Sequence, residues 1–391
     1  MDEVAHPSIA TAPLRQLAMP RTLAEAWSRW DGFAELLPGE TTRRAPNLVP
    51  THEMPHLEWF LHLHKQVADI ESVGCGFVAD AIVTGQGYVF KDGALLTQPV
   101  YLHNVAQQEL QAQPHLLPGN LQTAPRLVVD RPVLEILGPG SPVFGHWLVD
   151  FLPRAAIARQ LLGPAFDRFV IPLPADLPDW TLDLLRTLVG FQPENALRYD
   201  QGAEHLLCRR LCSPTFGHSA ENYFFHSVVR DFYAGFAPPR AGRGTRRLCV
   251  SRRNFEQSTR GVLKGFRQRA YLEQQAIDRG FEIICPEEMT LRQQIERFSD
   301  AGIVIGEYGS ALHNTLFSGP RVVVGSIRYP NSIQTRIAAL CGQHVLYLIP
   351  DIDGKDERGA EIYEVAENKI DRFLDQLIAL DGAMAAPTDP A

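Results

Sequence analysis

Two residues with complementary chemistry, His146 and Asp150, lie four positions apart in the segment 143–154. Residues at this spacing project from one face of a helix, so the two side chains are expected to meet. A histidine held by a carboxylate can take a proton from a hydroxyl group, and a carboxylate can do so alone. The pair therefore predicts a general base, and the spacing leaves open which residue it is. The alternative is a local pair in which Asp150 caps the helix and His146 is a satisfied, half-buried residue.

A second candidate is the pair Arg252 and Arg253, which directly follows the apolar run 248–250. If that run is a buried strand, at least one guanidinium lies at the carboxyl edge of the sheet. A planar arginine can neutralise a diphosphate without a metal ion. The alternative is a surface pair that brackets a loop. Arg154, which follows Pro153, is a weaker candidate for the same task.

The third candidate is the segment 301–314, where an apolar run leads into a glycine turn and then into the start of a helix. Such a turn offers N–H groups to an anion at the carboxyl end of a strand. Gly309 and Ser310 are expected to bind phosphate, and Glu307 to accept hydroxyl groups of a ribose or sugar and to be the next candidate for the base. Ser310 as a helix N-cap is the alternative. The residues assigned to this phosphate-binding turn, which becomes the donor site if the ligand is a nucleotide sugar, are Gly306, Glu307, Tyr308, Gly309, Ser310 and Asn314.

The glycine spacing of this turn also excludes two well-known nucleotide motifs. The glycines at 306 and 309 do not form G-x-G-x-x-G, and no Gly-Lys-Ser/Thr follows them. Neither half of the chain carries the dinucleotide fingerprint, which argues against a Rossmann oxidoreductase.

The elements that must position these residues follow from the alternation of apolar and amphipathic segments after residue 246. Strands are expected at 248–250, 281–284, 303–305, 322–324 and 345–349, with helices at 271–278, 291–298, after 309 and at 334–340. About five β/α units predict a Rossmann-like domain, a parallel sheet covered on both faces. A further helix is expected over about 364–380.

The N-terminal half shows a weaker version of the same pattern. Strands at 133–137 and 169–171 and helices from about 145 and over 179–189 predict a second Rossmann-like unit. Alternation over 77–96, with a hairpin turn at 91–93, predicts a small β-rich addition before it. The expected division is an accessory segment 1–50, a β-rich plus Rossmann-like domain 51–236, a linker 237–244, a second Rossmann-like domain 245–360, and a C-terminal helix with a frayed tail over 361–391.

Composition is that of an ordinary soluble enzyme. The 391 residues are 45% hydrophobic and carry a net charge of −8 without a long basic run, which argues against nucleic acid as a partner. No apolar stretch approaches the roughly 20 residues of a membrane span. We therefore expect a cytoplasmic protein, with room for peripheral association with a membrane assembly. The six cysteines are expected to be reduced, and the histidines at 52, 56, 62 and 64 do not have the spacing of a metal site.

Three motifs in one order carry a resemblance to a known family. The segment 143–154, the strand end 251–253 and the run 280–314 are similar to glycosyltransferase family 61, which includes capsular polysaccharide biosynthesis proteins. The resemblance implies a GT-B architecture, two Rossmann-like domains facing a cleft. It also implies a nucleotide-sugar donor as co-substrate, with no cofactor or bound metal, and transfer with inversion. Where many members have a histidine, this chain has Tyr308, and the arginine-and-asparagine signature is blurred over 264–269.

The resulting hypothesis is an inverting glycosyltransferase that moves a sugar to a glycan hydroxyl in bacterial surface or capsular polysaccharide synthesis. In GT-B enzymes the N-terminal half faces the acceptor, so the resemblance implies that His146 and Asp150 lie across the cleft from the arginines and the glycine turn. The alternative is an inactive GT-B-like binding or scaffold protein, which the departure at Tyr308 allows.

Overall fold

The protein is described by a computed structural model. It describes residues 9–14, 21–42, 47–48, 67–98, 101–117, 126–219, 223–237, 244–254, 264–330, 332–355 and 361–385. The chain forms two compact units. Unit 1 draws on residues 1–42 and 68–229, and unit 2 on residues 43–67 and 230–391.

The main sheet of unit 1 has eight strands and mixed direction. Its longest strands are β6 (Val73–Thr84) and β13 (His205–Pro214), which pair antiparallel from Cys75 to Val83. The others are β1 (Thr11–Pro13), β2 (Asp31–Leu37), β7 (Tyr88–Lys91), β8 (Ala94–Thr97), β9 (Arg126–Val129) and β10 (Val133–Leu134). β9 and β10 run parallel to β13 along its other edge.

Two smaller sheets and several helices complete unit 1. The strands are β3 (Glu40–Thr42) with β5 (Ala68–Ile70), and β11 (Ile171–Pro174) with β12 (Ala196–Tyr199). The helices are α1 (Leu23–Arg29), α2 (Tyr101–Ala112), α3 (Leu152–Leu162), α4 (Trp180–Leu184), continued by a π-helical turn (Leu185–Val189), and α5 (Ser227–Ala234), which begins in unit 1 and ends in unit 2.

The β-rich region is joined to the predicted Rossmann-like half. The hairpin expected at 91–93 is confirmed: β7 and β8 are linked by Asp92 at φ 50° and Gly93 at φ 83°, which a type I′ turn requires. β6 from this region pairs along most of its length with β13, so the two regions share one sheet and one core. The parallel strands of this half therefore share a mixed sheet with the β-rich segment, because the longest pairing of β13 is its antiparallel one with β6.

Unit 2 is a doubly wound parallel sheet, as the alternation predicts. Its strands run in the order β16, β14, β17, β18, β19, β4, and each neighbouring pair is parallel. Their bounds are β4 (Asn47–Leu48), β14 (Arg246–Val250), β16 (Glu282–Ile284), β17 (Ala301–Glu307), β18 (Val323–Ile327) and β19 (His344–Leu348). The five predicted strands are confirmed.

The covering helices of unit 2 also follow the predicted pattern. They are α6 (Arg269–Asp278), α7 (Leu291–Ser299), a 3₁₀ helix (Ser310–Phe317), α8 (Ser332–Cys341) and α9 (Glu367–Ala385). The apolar face predicted for the C-terminal helix is buried through Ile370, Phe373, Leu374 and Leu377 in the core of the unit. A small sheet of β15 (Lys264–Phe266), β21 (Glu361–Glu364) and β20 (Ile352–Lys355) completes the described part of unit 2.

The two compact units divide the chain after Val229, within α5. Residues 238–243 of the linker predicted at 237–244 lie outside the described residues. Residues 43–67 group with unit 2, since β4 extends the parallel sheet beyond β19. None of the helices in the described part of the chain has both the length and the apolar character of a membrane span.

Candidate functional site

The helical segment that carries His146 and Asp150 contains a widened turn. A short turn (Phe144–His146) leads into a π-helical turn (Trp147–Phe151) and then into α3. The Leu152 N–H donates to the Trp147 carbonyl, five residues back, and Pro153 has no N–H to continue the ordinary ladder. A proline near the start of a helix and an inserted residue together explain the wide turn. Asp150 lies inside this turn.

His146 and Asp150 are in direct contact, as their spacing predicts. The Nδ1 atom of His146 lies 2.6 Å from Oδ2 of Asp150. The Asp150 side chain is fully buried, whereas the His146 side chain is 26% exposed. The pair therefore presents one solvent-accessible imidazole backed by a buried carboxylate.

The structure adds a third member, His218, which the sequence did not single out. Its Nε2 atom lies 2.7 Å from Oδ1 of Asp150, so both carboxylate oxygens contact an imidazole. Its Nδ1 atom lies 3.0 Å from the carbonyl of Ser219, and its ring stacks on Tyr223 at 4.5 Å. His218 follows β13 and His146 follows β10, and because these strands are parallel neighbours, their carboxyl ends meet at one edge.

Burial and hydrogen bonding act in opposite directions on this group. Burial would lower the pKa of His146, but the hydrogen bond to Asp150 and the negative charge of that carboxylate raise it above its ordinary value. Burial would raise the pKa of Asp150, but hydrogen bonds to His146 and His218 hold it below its ordinary value. Asp150 is therefore an ionised carboxylate that stabilises protonated His146.

A glycine loop packs against the His146 ring. Gly140 has φ 83°, and a Cβ there would come within 2.6 Å of Cδ2 of His146. The loop is held by Gln86, whose Oε1 accepts from the Gly140 N–H at 3.1 Å. The Trp147 indole N–H donates to the Ser141 carbonyl at 2.6 Å. The orientation of His146 is thus fixed from both the helix and the loop.

The arrangement supports proton transfer at one defined atom. Because Nδ1 of His146 faces the carboxylate, a neutral imidazole carries its proton there and leaves the lone pair on Nε2. A buried carboxylate that orients a histidine and stabilises its cation is the logic of a general base.

Arg154 does not serve as an anion ligand. Its guanidinium is buried and donates to the carbonyls of Pro214, Leu137 and Glu135, to the Glu135 carboxylate at 3.1 Å and to the Ser213 hydroxyl. Burial raises the pKa of Glu135 to about 7, although the charge of Arg154 lowers it. Arg154 thus ties α3 to β10 and β13, and the weaker assignment to a diphosphate is wrong.

In unit 2, the predicted donor residues lie at the topological switch point of the sheet. β14 is the first strand of the part of unit 2 that begins at residue 230, and β16 and β17 flank it on opposite sides. Ligands of open α/β sheets bind outside the carboxyl ends of the strands at such a point. Arg252 follows β14 there, and Gly309 follows β17.

Arg252 and Gly309 approach each other closely. A Cβ at Gly309 would collide with the Arg252 guanidinium. Gly309 has φ 171°, which is extended backbone open to any residue, so its small size is needed for this approach rather than for its conformation. Gly306, in β17, is similarly close to Val250 in β14.

Arg253 is more exposed and is partly engaged. Its side chain is 53% exposed and contacts Glu273 at 3.2 Å. The same Glu273 carboxylate accepts from the Ser251 hydroxyl at 2.5 Å, which ties the end of β14 to α6. Arg252, which is half-buried, is therefore the better-oriented of the two arginines.

Glu307 has partners other than the hydroxyl groups assigned to it. Its buried carboxylate accepts from Arg269 at 2.6 and 3.2 Å and from the Tyr363 hydroxyl at 2.5 Å. Burial and the charge of Glu307 raise the pKa of Tyr363. This cluster fixes the end of β17 and links it to α6 and β21.

The remaining donor-site residues lie around the same turn. Burial raises the pKa of Tyr308 to about 12, so its hydroxyl is neutral. Ser310 opens the 3₁₀ helix and is half-buried. Asn314 is buried and donates to Gln294 and Ala311, both at 3.1 Å, which fixes the helix against α7.

The histidines at 52, 56, 62 and 64 lie outside the described residues. Within the described ranges, no group of three or more His, Cys, Asp or Glu side chains is arranged to hold a metal ion.

Comparison with known families identifies the region that contains both sets of residues. Residues 144–325 match the family model described as Glycosyltransferase 61. The match begins at the helical turn that carries His146 and includes Asp150, His218, Arg252 and the glycine turn. No curated protein matches the chain. The family resemblance predicted from the three motifs is confirmed.

Proposed function

With residues 144–325 assigned to glycosyltransferase family 61, we propose that this protein is an inverting, metal-independent glycosyltransferase. It transfers a sugar from a nucleotide-sugar donor to a hydroxyl group of a glycan acceptor. Unit 1 supplies the general base, and unit 2 binds the donor. The proposal includes the GT-B architecture that the family resemblance implies.

The observation that carries the proposal is the contact between Nδ1 of His146 and Oδ2 of Asp150 at 2.6 Å, inside the family-matched region. Inverting transfer needs a base for the proton of the attacking hydroxyl. His146 is the exposed member of the pair and Asp150 the buried one. This favours His146 as the base and Asp150 as the residue that orients it and stabilises its cation.

The reaction then balances as a single displacement. The acceptor hydroxyl loses its proton to Nε2 of His146 while its oxygen forms a bond to the anomeric carbon. The bond from that carbon to the phosphate oxygen breaks, and the nucleoside diphosphate leaves with the electron pair. Attack opposite the leaving group inverts the anomeric centre.

The leaving group carries growing negative charge, which Arg252 is placed to neutralise. It lies at the switch point of the parallel sheet, against the glycine turn. Charge-assisted hydrogen bonds from a guanidinium are the strong ones, and they act without a metal. Ser310 and the backbone N–H groups of the turn are proposed as further phosphate ligands. Glu307 and Asn314 fix the turn through their hydrogen bonds to Arg269 and Gln294.

The hydrogen-bonded histidine and carboxylate also bear on the alternative of an inactive scaffold. A buried carboxylate is costly to keep, and one held by two imidazoles without a chemical task would have no advantage over apolar packing. The intact pair therefore favours the enzyme.

The proposal is tested by screening the full chain against a panel of nucleotide sugars by thermal shift. A donor that binds only the folded protein raises its melting temperature. Positive donors are then incubated with glycan acceptors, and the product is examined by NMR for formation of the opposite anomer. Activity in the presence of a strong chelator tests the independence from metal.

Two results would contradict the proposal. Retention of the anomeric configuration would refute the single displacement, and donor binding without transfer to any glycan would favour the scaffold. The place in cytoplasmic assembly of a surface or capsular polysaccharide is tested by deleting the gene in its host and measuring that polysaccharide.

A further inference from the structure

The hydrogen-bond partners of His218 define its protonation. Nδ1 faces the Ser219 carbonyl at 3.0 Å, and Nε2 faces the Asp150 carboxylate at 2.7 Å. A carbonyl oxygen can only accept a hydrogen bond, and so can an ionised carboxylate. Each ring nitrogen of His218 thus faces an acceptor, which is the hydrogen-bonding pattern that an imidazolium satisfies with both of its N–H groups.

His226, in the same unit, shows the contrasting arrangement. Its Nδ1 atom accepts from the Val228 N–H at 3.1 Å, and its Nε2 atom donates to the Pro38 carbonyl at 3.0 Å. One nitrogen accepts and the other donates, so His226 is neutral. Both histidines are buried. Oε2 of Glu40 lies 4.0 Å from Nε2 of His226, beyond hydrogen-bond distance, whereas Oδ1 of Asp150 lies 2.7 Å from Nε2 of His218.

We propose that His218 is a positioning residue, held as an imidazolium that offsets the charge of Asp150 and so makes it easier for His146 to lose its proton and become the proton acceptor. The role of His218 in catalysis rests on the proposed function, whereas its protonation does not. Three titratable groups lie around His218: Asp150 and, bonded to it, His146 from the helical segment, and Tyr223, whose ring stacks on His218.

The charge balance explains why such a residue is useful. With Asp150 and His146 alone, the favoured buried state is an ion pair in which His146 is already protonated and cannot act as a base. With His218 positive, the pair His218 and Asp150 is neutral before His146 takes a proton. The pKa of Asp150, which lies below its ordinary value, agrees with a carboxylate that is ionised between the two rings.

The first test needs no substrate. The full chain is labelled with ¹⁵N-histidine, and the His218 and His226 signals are assigned by their loss in His218→Gln and His226→Gln. At pH 8 we expect both His218 nitrogens in the range of protonated imidazole and only one of the two in His226. A neutral tautomer of His218 would overturn the proposal even if the protein transfers sugar as proposed.

The second test measures the pH dependence of transfer. Because His146 must be neutral to act, the rate rises as pH rises through its pKa. In His218→Gln a positive charge is lost, His146 holds its proton to higher pH, and the rate at pH 7 falls about tenfold relative to the alkaline plateau of the same variant. His226→Gln is the matched control and keeps the parent midpoint.

The two tests separate the failures. If the transfer rate of His218→Gln rises with pH at the same midpoint as that of the parent protein, the positioning role is refuted. A loss of rate that is equal at all pH values would likewise refute it and indicate a merely structural role. A parent protein that transfers no sugar refutes the proposed function and leaves the NMR result to decide the protonation of His218.

Discussion

The two candidate sites are built in opposite ways. In unit 1 the polar groups are bonded mainly to each other, with Asp150 and His218 fully buried and only His146 reaching solvent. In unit 2 the carboxylates are bonded within the fold, as Glu307 is to Arg269 and Glu273 to Arg253, and the half-buried Arg252 and the exposed Arg253 lie at the sheet edge. The site in unit 1 is a buried hydrogen-bond network in which only His146 is exposed, and the site in unit 2 is a sheet edge with solvent-accessible arginines, which we call the open edge.

This difference matches two kinds of task. A proton must be exchanged at one defined atom, so the residues that control it are best fixed and shielded from water. A donor that binds and leaves must be received by groups that solvent and ligand can both reach. If this comparison is correct, substitutions in unit 1 should change turnover, and substitutions at the edge of unit 2 should change donor affinity.

The largest expected effect is in unit 1. Asp150→Asn removes the charge that stabilises protonated His146, and His146→Ala removes the base itself. Either variant should lower kcat by roughly a hundredfold or more, because transfer of the hydroxyl proton depends on both the base and the charge that stabilises its protonated form. The measurement is steady-state transfer, with donor affinity determined separately by calorimetry.

Donor affinity should survive in both variants, since neither residue belongs to unit 2. Retention of the parent kcat in both would remove His146 and Asp150 from the mechanism. A parallel loss of donor affinity would instead break the division of tasks between the units.

A smaller effect is expected at the sheet edge of unit 2. Arg252→Ala should weaken donor binding by about 2 kcal/mol, because a charge-assisted contact to the diphosphate is lost. Arg253→Ala should weaken it less, since that side chain is exposed and shared with Glu273. The exposed Arg292 on α7 offers a matched control, in which the same change should leave the affinity intact.

If Arg252→Ala and the Arg292→Ala control bind the donor with equal affinity, Arg252 is not a ligand of the donor diphosphate. Loss of folding stability in Arg252→Ala, measured by denaturant unfolding, would show that the arginine has a structural role instead.

Local pattern was sufficient for unit 2 and insufficient for unit 1. The five parallel strands and the helix after Glu367 follow from apolar periodicity, because each β/α unit forms from neighbouring sequence. The antiparallel pairing of β6 with β13 joins segments more than 100 residues apart, and no local signal encodes it. The mixed sheet of unit 1 was missed for this reason.

The same physics explains the outcome at the site. His146 and Asp150 are four residues apart on one helical segment, so their contact could be predicted from spacing. His218 lies 68 residues from Asp150 and reaches it only because β10 and β13 are neighbours. The available signal was a histidine after a glycine at the end of a strand. The engagement of Glu307 by Arg269 and Tyr363 likewise depends on long-range packing.

The smallest expected effects come from one glycine in each site. Gly140 has φ 83° and lies against the His146 ring, so Gly140→Ala should strain the backbone and push the imidazole, at about 1 kcal/mol of folding free energy. Gly309 has an extended backbone, and its added Cβ would meet only the end of the Arg252 side chain, which can move. Gly309→Ala should therefore change stability by less than about 0.5 kcal/mol and act on donor affinity instead. Urea unfolding together with donor titration distinguishes the two variants. A greater loss of stability in Gly309→Ala than in Gly140→Ala would show that the glycine turn, and not the loop behind His146, is the rigid element of its site, and the contrast between the buried network and the open edge would fail.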